Sequence, residues 1–381
     1  MILPEFYTNC LCKYLNESQL LTLEILVWLL QVHKQVRIER LAACLPIPIL
    51  YESRRRHLQR FLVLPKLSVP LVWFPLIKCI LKTQVLPGSR LVVALDRTQW
   101  EANNLLMVSV IWKKRAFPVY WQFLGKAGSS NLQEQIAVIR PVLKLLSCYE
   151  IVVIGDREFR SVELAYWLKK KKVYFALRQK QDTYIHQRGR SEKLLSELGL
   201  APGLKRFYTG VTYTKKKGFG QFSVAAYWQR NYRGKASDEG WYILTNLPSL
   251  EETLKVYSSR SGIEAMFKDC KSGGYNLEGS KASPERLTRL VLIIAVAYTC
   301  AALRGQKVKR LGQQKYVSRL KEWQRLEQRH SNFWVGLYGQ MWLISWEFCR
   351  VLVEQLMEVC RNKLPFYQRG IQAMYLIQIA S

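Results

Sequence analysis

The sequence LVVALD at residues 91–96 is an apolar run that ends in an aspartate, and IVVIGD at residues 151–156 repeats this pattern. Short runs that are apolar at every position are typical of strands buried on both faces, as in the parallel sheets of α/β proteins. Open α/β sheets place their reacting groups at the carboxyl ends of such strands. Asp96 and Asp156 are therefore candidate catalytic residues; the alternative is that each only caps the turn after its strand.

Strands and helices alternate around these two runs. Residues 107–112 and 116–123 predict a hairpin, and residues 173–177 predict a further strand. Helical spacing is found at about residues 131–146 and 161–171. The order is three strands, helix, strand, helix, strand. This order predicts an α/β fold with a mixed sheet and with helices on its faces.

The chain has a strong excess of positive charge. Its 381 residues include 58 Lys and Arg against 28 Asp and Glu, a net charge of +30. Such a surface repels itself unless it meets a polyanion, so nucleic acid is the first partner to expect and an anionic membrane the second. The longest apolar run, Leu290–Leu303, has 14 residues and falls short of the about 20 that cross a bilayer, so we predict a buried helix and no membrane span.

Export and zinc binding are both disfavoured. The first residues show no signal-peptide pattern, so we expect a cytoplasmic protein. The nine cysteines contain no Cys-x-x-Cys pair and the chain has four His, which argues against a zinc site.

Residues 178–248 are interpreted as a β insertion, because short strand-like segments and glycines replace the helical pattern there. Residues 178–235 contain 13 Lys and Arg against three acids, so the insertion is itself a basic surface. We divide the chain into a helical DNA-binding domain at residues 1–88, an α/β domain at 89–289 that carries the insertion, and a helical C-terminal region at 290–381 that is available for dimerisation.

The N-terminal region predicts helices at about residues 18–32, 37–44 and 50–61. The third is basic and contains Arg54, Arg55 and Arg56, which are candidate DNA-binding residues. Three short helices in this order are compatible with a helix-turn-helix. The alternative is a helical cap with a solvated charged face, and the net charge of the chain favours DNA.

A candidate third acid lies in a helix predicted over residues 250–271. Tyr257, Arg260, Glu264 and Lys271 follow one another at offsets of three, four and seven, which places them on one helical face. Such a face offers phosphate donors beside an acid that can bind metal. The alternative is a solvated stripe in which Arg260 and Glu264 form an ion pair.

These four residues match, at every position, the Tyr-Arg-Glu-Lys signature of the insertion-sequence-four family of DDE transposases, which the chain resembles. Two further segments resemble the aspartate motifs of that family: Leu95-Asp96-Arg97-Thr98 and Gly155-Asp156-Arg157-Glu158-Phe159. The three motifs also follow one another in the family's order. One departure is Ser261-Gly262 after the signature arginine, where many relatives carry Trp. A glycine in this helix indicates an irregular turn or a close approach of the backbone to DNA.

The resemblance implies a ribonuclease H-like catalytic domain with an inserted β subdomain. Its catalytic and metal-binding triad would be Asp96, Asp156 and Glu264, holding two Mg²⁺ ions that Mn²⁺ can replace. Carboxylate oxygens suit Mg²⁺, and two ions about 4 Å apart can serve both the attacking and the leaving oxygen of a phosphodiester.

The resemblance also implies DNA contacts. Tyr257, Arg260 and Lys271 would grip phosphates near the scissile bond. Trp241, at the start of the strand before the signature helix, would stack on a base flipped out of the duplex; the alternative is an ordinary core tryptophan.

We therefore expect a prokaryotic, nucleoid-associated transposase that binds double-stranded DNA at the terminal inverted repeats of its own element and at the target. It would cleave the ends and join the freed 3′-hydroxyl to the target, as a homodimer when bound to DNA. Two alternatives stay open: a metal-dependent nuclease on the same fold that cuts without joining, and a captured copy that binds DNA without catalysis.

Overall fold

The computed structural model describes residues 3–187, 191–213, 219–230, 239–320 and 329–379. The chain forms two compact units, one of Ile77–Phe267 and one that combines Met1–Leu76 with Lys268–Ser381. Parts of the predicted basic insertion, residues 188–190, 214–218 and 231–238, lie outside the described residues.

The α-helices of the described chain are named in sequence order. They are α1 (Glu5–Leu11), α2 (Glu17–His33), α3 (Ile38–Cys44), α4 (Tyr51–Phe61), α5 (Phe74–Gln84), α6 (Leu132–Leu145), α7 (Val162–Lys170), α8 (Leu250–Ser258), α9 (Ser261–Cys270), α10 (Pro284–Arg310), α11 (Gln314–Val317), α12 (Asn332–Val359) and α13 (Leu364–Ile379). The three helices predicted at the N-terminus are present as α2, α3 and α4.

The unit Ile77–Phe267 is built on one mixed sheet. Its strands are β1 (Arg90–Trp100), β2 (Asn103–Trp112), β3 (Arg115–Phe123), β4 (Glu150–Gly155), β5 (Tyr174–Arg178), β6 (Tyr184–Gln187), β7 (Lys193–Leu194), β8 (Lys205–Tyr213), β9 (Phe219–Tyr227) and β10 (Trp241–Thr245). Among the described residues, the order across the sheet is β3-β2-β1-β4-β5-β10-β9-β8-β6-β7.

The directions of the strands make this a mixed sheet. β1 is parallel to β4 and β4 to β5, whereas β2 is antiparallel to both β1 and β3. The predicted α/β fold with a mixed sheet is confirmed. The predicted β insertion does not stand apart, because β10 pairs with β5 and the strands of the insertion extend the same sheet. This pairing covers the edge that β5 would otherwise expose.

The strand that contains Asp96 is longer than predicted. Its parallel pairing with β4 ends at Leu95 opposite Gly155, but its antiparallel pairing with β2 continues from Asp96 opposite Met107 to Trp100 opposite Asn103. Asp96 therefore lies within β1, at the point where the neighbour on one side stops.

The other unit is helical, and α10 is its core helix. The stretch Leu290–Leu303 is buried throughout, as predicted. By length and composition α10 is able to cross a membrane, but 83% of its most apolar stretch is buried inside the fold, as expected of a core helix.

Two glycines let α10 and α12 approach each other closely. A Cβ on Gly305 would collide with the backbone carbonyl of Asn332 on α12, and a Cβ on Gly336 would collide with the carbonyl of Ala301 on α10. Backbone cannot give way as a flexible side chain can, so both positions exclude any larger residue.

We therefore expect Gly336→Ala to lower the free energy of unfolding by about 1 to 3 kcal/mol, the usual result of overpacking a core. Urea unfolding followed by circular dichroism measures the change. Gly370→Ala is the matched control, since Gly370 lies in α13 with open space around its Cα, and alanine there should stabilise the helix by up to about 1 kcal/mol. Equal effects of the two substitutions would contradict the close packing.

Candidate active site

Strand register brings Asp96 and Asp156 together. Each aspartate directly follows one member of the register pair Leu95 and Gly155 in the parallel strands β1 and β4. Asp156 caps the turn after β4, since its Oδ1 accepts a hydrogen bond from the backbone N–H of Glu158 at 2.8 Å. The predicted capping role is thus present at Asp156, and it leaves the second carboxylate oxygen unused by that turn.

Arg260 links Glu264 to this pair. Its Nη1 lies 3.4 Å from Oδ2 of Asp96, and its Nη2 donates to Oε1 of Glu264. The charge of Arg260 also interacts with Asp156. Arg260 is 18% exposed and Glu264 54% exposed, so the cluster opens toward solvent on the side of the glutamate. Asp96 and Glu264 therefore contact one guanidinium, and Asp156 lies near enough for its charge to act on it.

Asp96 is the most perturbed acid of the cluster. Burial raises the pKa of its carboxyl to about 7, and the charges of Asp156 and Glu264 act in the same direction. The backbone N–H of Arg97 and the guanidinium of Arg260 oppose the rise. A carboxyl buried beside two like charges either keeps its proton or needs a cation close by.

The acids provide a donor set that suits a divalent metal. Carboxylate oxygens are the hard ligands that Mg²⁺ prefers, and the position of Arg260 shows that their meeting point favours positive charge. Among the described residues, no three His, Cys, Asp or Glu side chains stand close enough to form a ready metal site. The guanidinium of Arg260 bridges Asp96 and Glu264 at this point.

The signature helix is not continuous, and the prediction of one helical face is wrong. α8 ends at Ser258 and α9 begins at Ser261. Gly262 in the first turn of α9 lies close to the start of β3, since a Cβ there would lie 3.0 Å from the carbonyl oxygen of Arg115. The lack of a Cβ at Gly262 thus lets the β2–β3 hairpin pack closely against α9.

Tyr257 and Trp241 pack against each other. Their rings meet edge to face at a centroid distance of 5.1 Å, and Tyr227 lies on Trp241 at 6.0 Å. Tyr257 is 2% exposed, and its burial raises the pKa of the phenol. In this position the phenol is closed to the phosphate contact predicted for it. Trp241 keeps partial exposure, and its stacking on a flipped base stays a prediction.

The other predicted DNA contacts belong to the helical unit. Lys271 follows α9 and pairs with Glu278 at 2.6 Å. Arg54 donates to two backbone carbonyls at the end of α3, both at 3.2 Å, which ties it to the fold. Arg55 pairs with acids on α3 and α4, whereas Arg56 is exposed. Of these three arginines, Arg56 is the one whose position suits a contact with DNA.

Sequence reasoning missed an ion pair that links the two aspartate motifs. Arg97 donates through Nε to both oxygens of Glu158 at 3.0 and 2.8 Å, and both side chains are largely buried. Glu158 also accepts from the backbone N–H and the hydroxyl of Ser130 at 2.9 and 2.7 Å. Arg97 further donates to Asn104 on β2 at 3.0 Å. The signal was an arginine one residue after the first aspartate and a glutamate two residues after the second.

A second missed contact lies on the insertion. Glu239, two residues before Trp241, accepts from Arg157 and from Arg178, each at 2.7 Å. Because Arg157 directly follows Asp156, this contact fastens the end of the insertion to the segment that carries the second acid.

Comparison with known proteins gives a match to one family model. The family model described as the transposase DDE domain matches residues 89–300, more than half of the chain. A structure of piggyBac transposase in a synaptic complex with hairpin DNA, determined by cryo-EM, is 13% identical. The similarity covers 86% of this chain and 71% of that one, with a TM-score of 0.45. No curated protein matches the sequence.

The Arg97–Glu158 pair should contribute strongly to stability. Glu158→Ala leaves a guanidinium that is 18% exposed without its carboxylate, so we expect the free energy of unfolding to fall by about 3 kcal/mol. Urea unfolding measures the loss. Glu354→Ala, which removes a surface i,i+4 pair with Arg350, is the control and should cost about 0.5 kcal/mol or less. Similar losses in the two variants would exclude a special role for the buried pair.

The raised pKa of Asp96 predicts a pH dependence. The carboxyl ionises near pH 3.8 when unfolded and near 7 when folded, so the unfolded state loses its proton first. Metal-free protein should therefore lose stability as the pH rises between these values, by at most about 1.4 kcal/mol per pH unit from this group. Urea unfolding of wild type and of Asp96→Asn across this range tests it, because the variant should lack this component. Asp182→Asn, at a residue whose side chain is 77% exposed, should keep it. Parallel curves for wild type and Asp96→Asn would refute the raised pKa.

Proposed function

The chain belongs to the transposase DDE domain family, and from this we propose that it is a cut-and-paste DNA transposase of the insertion-sequence-four branch. The observation that carries the proposal is that Arg260 contacts Asp96 and Glu264 and interacts with the charge of Asp156, inside the residues that the family model covers. The complete Tyr-Arg-Glu-Lys spacing supports the assignment to this branch. The family implies nuclease and strand-transfer chemistry.

Asp96, Asp156 and Glu264 would hold the divalent metal that DDE transposases use, with two Mg²⁺ ions as the expected form and Mn²⁺ able to replace them. When bound, such ions lower the pKa of an attacking water and offset charge on the leaving oxygen. In the chain itself, Arg260 balances the charge of Asp96 and Glu264 while no metal is bound. Its five donors also suit a phosphate oxygen once the carboxylates are occupied.

One site serves both proposed steps. In cleavage, water attacks the phosphodiester at the end of the element and the 3′-hydroxyl leaves. In strand transfer, that 3′-hydroxyl attacks a phosphodiester of the target, and one P–O bond forms as another breaks. Both steps are in-line displacements at phosphorus that differ in the nucleophile.

The proposed substrate is double-stranded DNA, as terminal inverted repeats and as target. The net charge of +30 supports this choice, because neutralised phosphates release counterions and supply most of the affinity in such complexes. We place recognition of the repeat in the N-terminal helical region, residues 1–88. We place the protein in the cytoplasm of a prokaryote, at the nucleoid.

We also propose a homodimer on DNA, since both ends of an element must be held together. An exposed apolar stripe on α12 supports it. The stripe consists of residues spaced along one side of the helix: Phe348, Val351, Leu352, Leu356 and Val359. Phe348 is 91% exposed and Val359 is 84% exposed. Contiguous apolar patches of this kind on soluble proteins mark interaction sites.

The test is cleavage of DNA that carries the inverted repeats flanking the gene. With Mg²⁺, purified protein should cut at the repeat boundary and join the freed 3′-end to a target plasmid, as seen on sequencing gels. Glu264→Gln and Asp96→Asn should each lower the cleavage rate by at least about 100-fold, because each removes a charge that the transition state needs. Glu251→Gln, at an exposed acid on α8, should cleave as wild type does.

Each outcome separates the candidate functions. Boundary cuts without joined products would identify a nuclease on the same fold. Specific binding to the repeat without cuts would identify a catalytically silent DNA-binding copy. Cuts that survive in Glu264→Gln would remove Glu264 from the triad.

A further inference from the structure

Three arginines line an open notch in the helical unit. Arg56 and Arg60 lie one turn apart on α4, and Arg286 lies in the first turn of α10. The notch has a volume of about 460 Å³, and Ser53, Gln59 and Val63 complete its lining. We refer to this feature as the arginine notch.

The acids nearest to these arginines in sequence are already paired elsewhere. Glu52 on α4 pairs with Arg55, and Glu285 on α10 pairs with Arg289 at 3.1 Å. Within the described part of the chain, none of the three notch guanidiniums forms an ion pair. The notch therefore concentrates three positive charges without a counterion.

Arg286 gives a second observation that favours an anionic ligand. Its Nε is fully buried and has no hydrogen-bond partner among the described residues. A buried charged donor without an acceptor is costly, so a phosphate bound by the rest of this guanidinium would offset part of that cost. The start of α10 adds to the demand for an anion, because the 27-residue helix directs its first N–H groups and its positive dipole end toward this turn.

We propose that the arginine notch binds a backbone phosphate of DNA. The choice of DNA as the ligand rests on the proposed function. The notch is nevertheless a further site, because it belongs to the helical unit whereas the three acids belong to the unit Ile77–Phe267. Guanidinium groups bind phosphate oxygens through paired N–H donors, and Ser53 and Gln59 offer further hydrogen bonds. An opening lined mainly by polar and charged side chains suits a phosphodiester that enters from a duplex surface. Phosphate contacts of this type fix the position of a protein on DNA without reading its sequence.

The experiment compares two triple variants of the full chain that lose the same charge. The notch variant carries Arg56→Gln, Arg60→Gln and Arg286→Gln. The control carries Arg140→Gln, Arg361→Gln and Lys363→Gln, all at exposed positions outside the notch and outside residues 1–88. Affinity for a fluorescent duplex of the inverted repeat, and for an unrelated duplex of equal length, is measured by anisotropy over a series of salt concentrations.

We expect the notch variant to bind both duplexes about 10- to 100-fold more weakly at moderate salt. The slope of log affinity against log salt should become shallower by about 0.9 for the one phosphate released. The control should change the affinity by less than about 3-fold. The cleavage assay on the wild-type protein tests the transposase proposal by itself, so a failure of that proposal is distinguishable from a failure of the notch proposal.

A measurement on the wild type guards against a variant that fails to fold. Phenylglyoxal modifies accessible arginines, and mass spectrometry should show Arg56, Arg60 and Arg286 protected when the duplex is bound, while Arg140 and Arg361 stay reactive. Equal weakening by the two triple variants, or unchanged modification of the notch arginines, would overturn the proposal. Protection by anionic vesicles or by RNA but not by duplex DNA would overturn it as well, and would assign the notch to that other polyanion.

Discussion

Parallel pairing between β1 and β4 is the constraint on which the rest of the site depends. Its last register pair, Leu95 with Gly155, sets the two aspartates side by side and leaves them no freedom to separate. Gly155 is required there because a Cβ would lie 2.8 Å from Cβ of Phe159, the residue that closes the turn after Asp156. The ion pair of Arg97 with Glu158 then fastens the two chain segments just beyond the acids.

The arginines around this edge of the sheet differ in the acids that they contact. Arg97 and Arg178 are bound to glutamates that have no catalytic assignment, and both have a structural role. Arg260 differs, since both acids that it contacts are candidates for the triad. An arginine in this position stabilises the folded protein before metal or DNA arrives, and it keeps two carboxylates from repelling each other. Arg97 and Arg178 thus stabilise the fold around the site, whereas Arg260 is itself part of the site.

Local sequence patterns were enough to predict much of the fold. Features that depend on contacts between residues distant in sequence were not predictable from them. The runs at residues 91–96 and 151–156 are apolar throughout, so both strands and both aspartates were predictable. The four-residue signature identified Glu264, but its spacing predicted an unbroken helix and could not show the contact of Gly262 with the carbonyl of Arg115, which is distant in sequence. For the same reason, composition could not separate Arg54, which binds the end of α3, from Arg56, which faces solvent.

The long excursion of the chain between β5 and β10 begins and ends at one place. These two strands are hydrogen-bonded neighbours, and the N–H of Gln179 donates to the carbonyl of Tyr242 at 2.7 Å across the point where the chain leaves and returns. An excursion with adjacent ends can be lengthened, shortened or exchanged without moving the strands that carry the acids, because insertions are tolerated where entry and exit meet. The edge of the sheet that carries Asp96 and Asp156 is thereby uncoupled from the length of this segment. The whole segment can therefore be exchanged in evolution. Among the described residues, Glu239 makes the segment's one ionic contact with Arg157, the residue that follows Asp156.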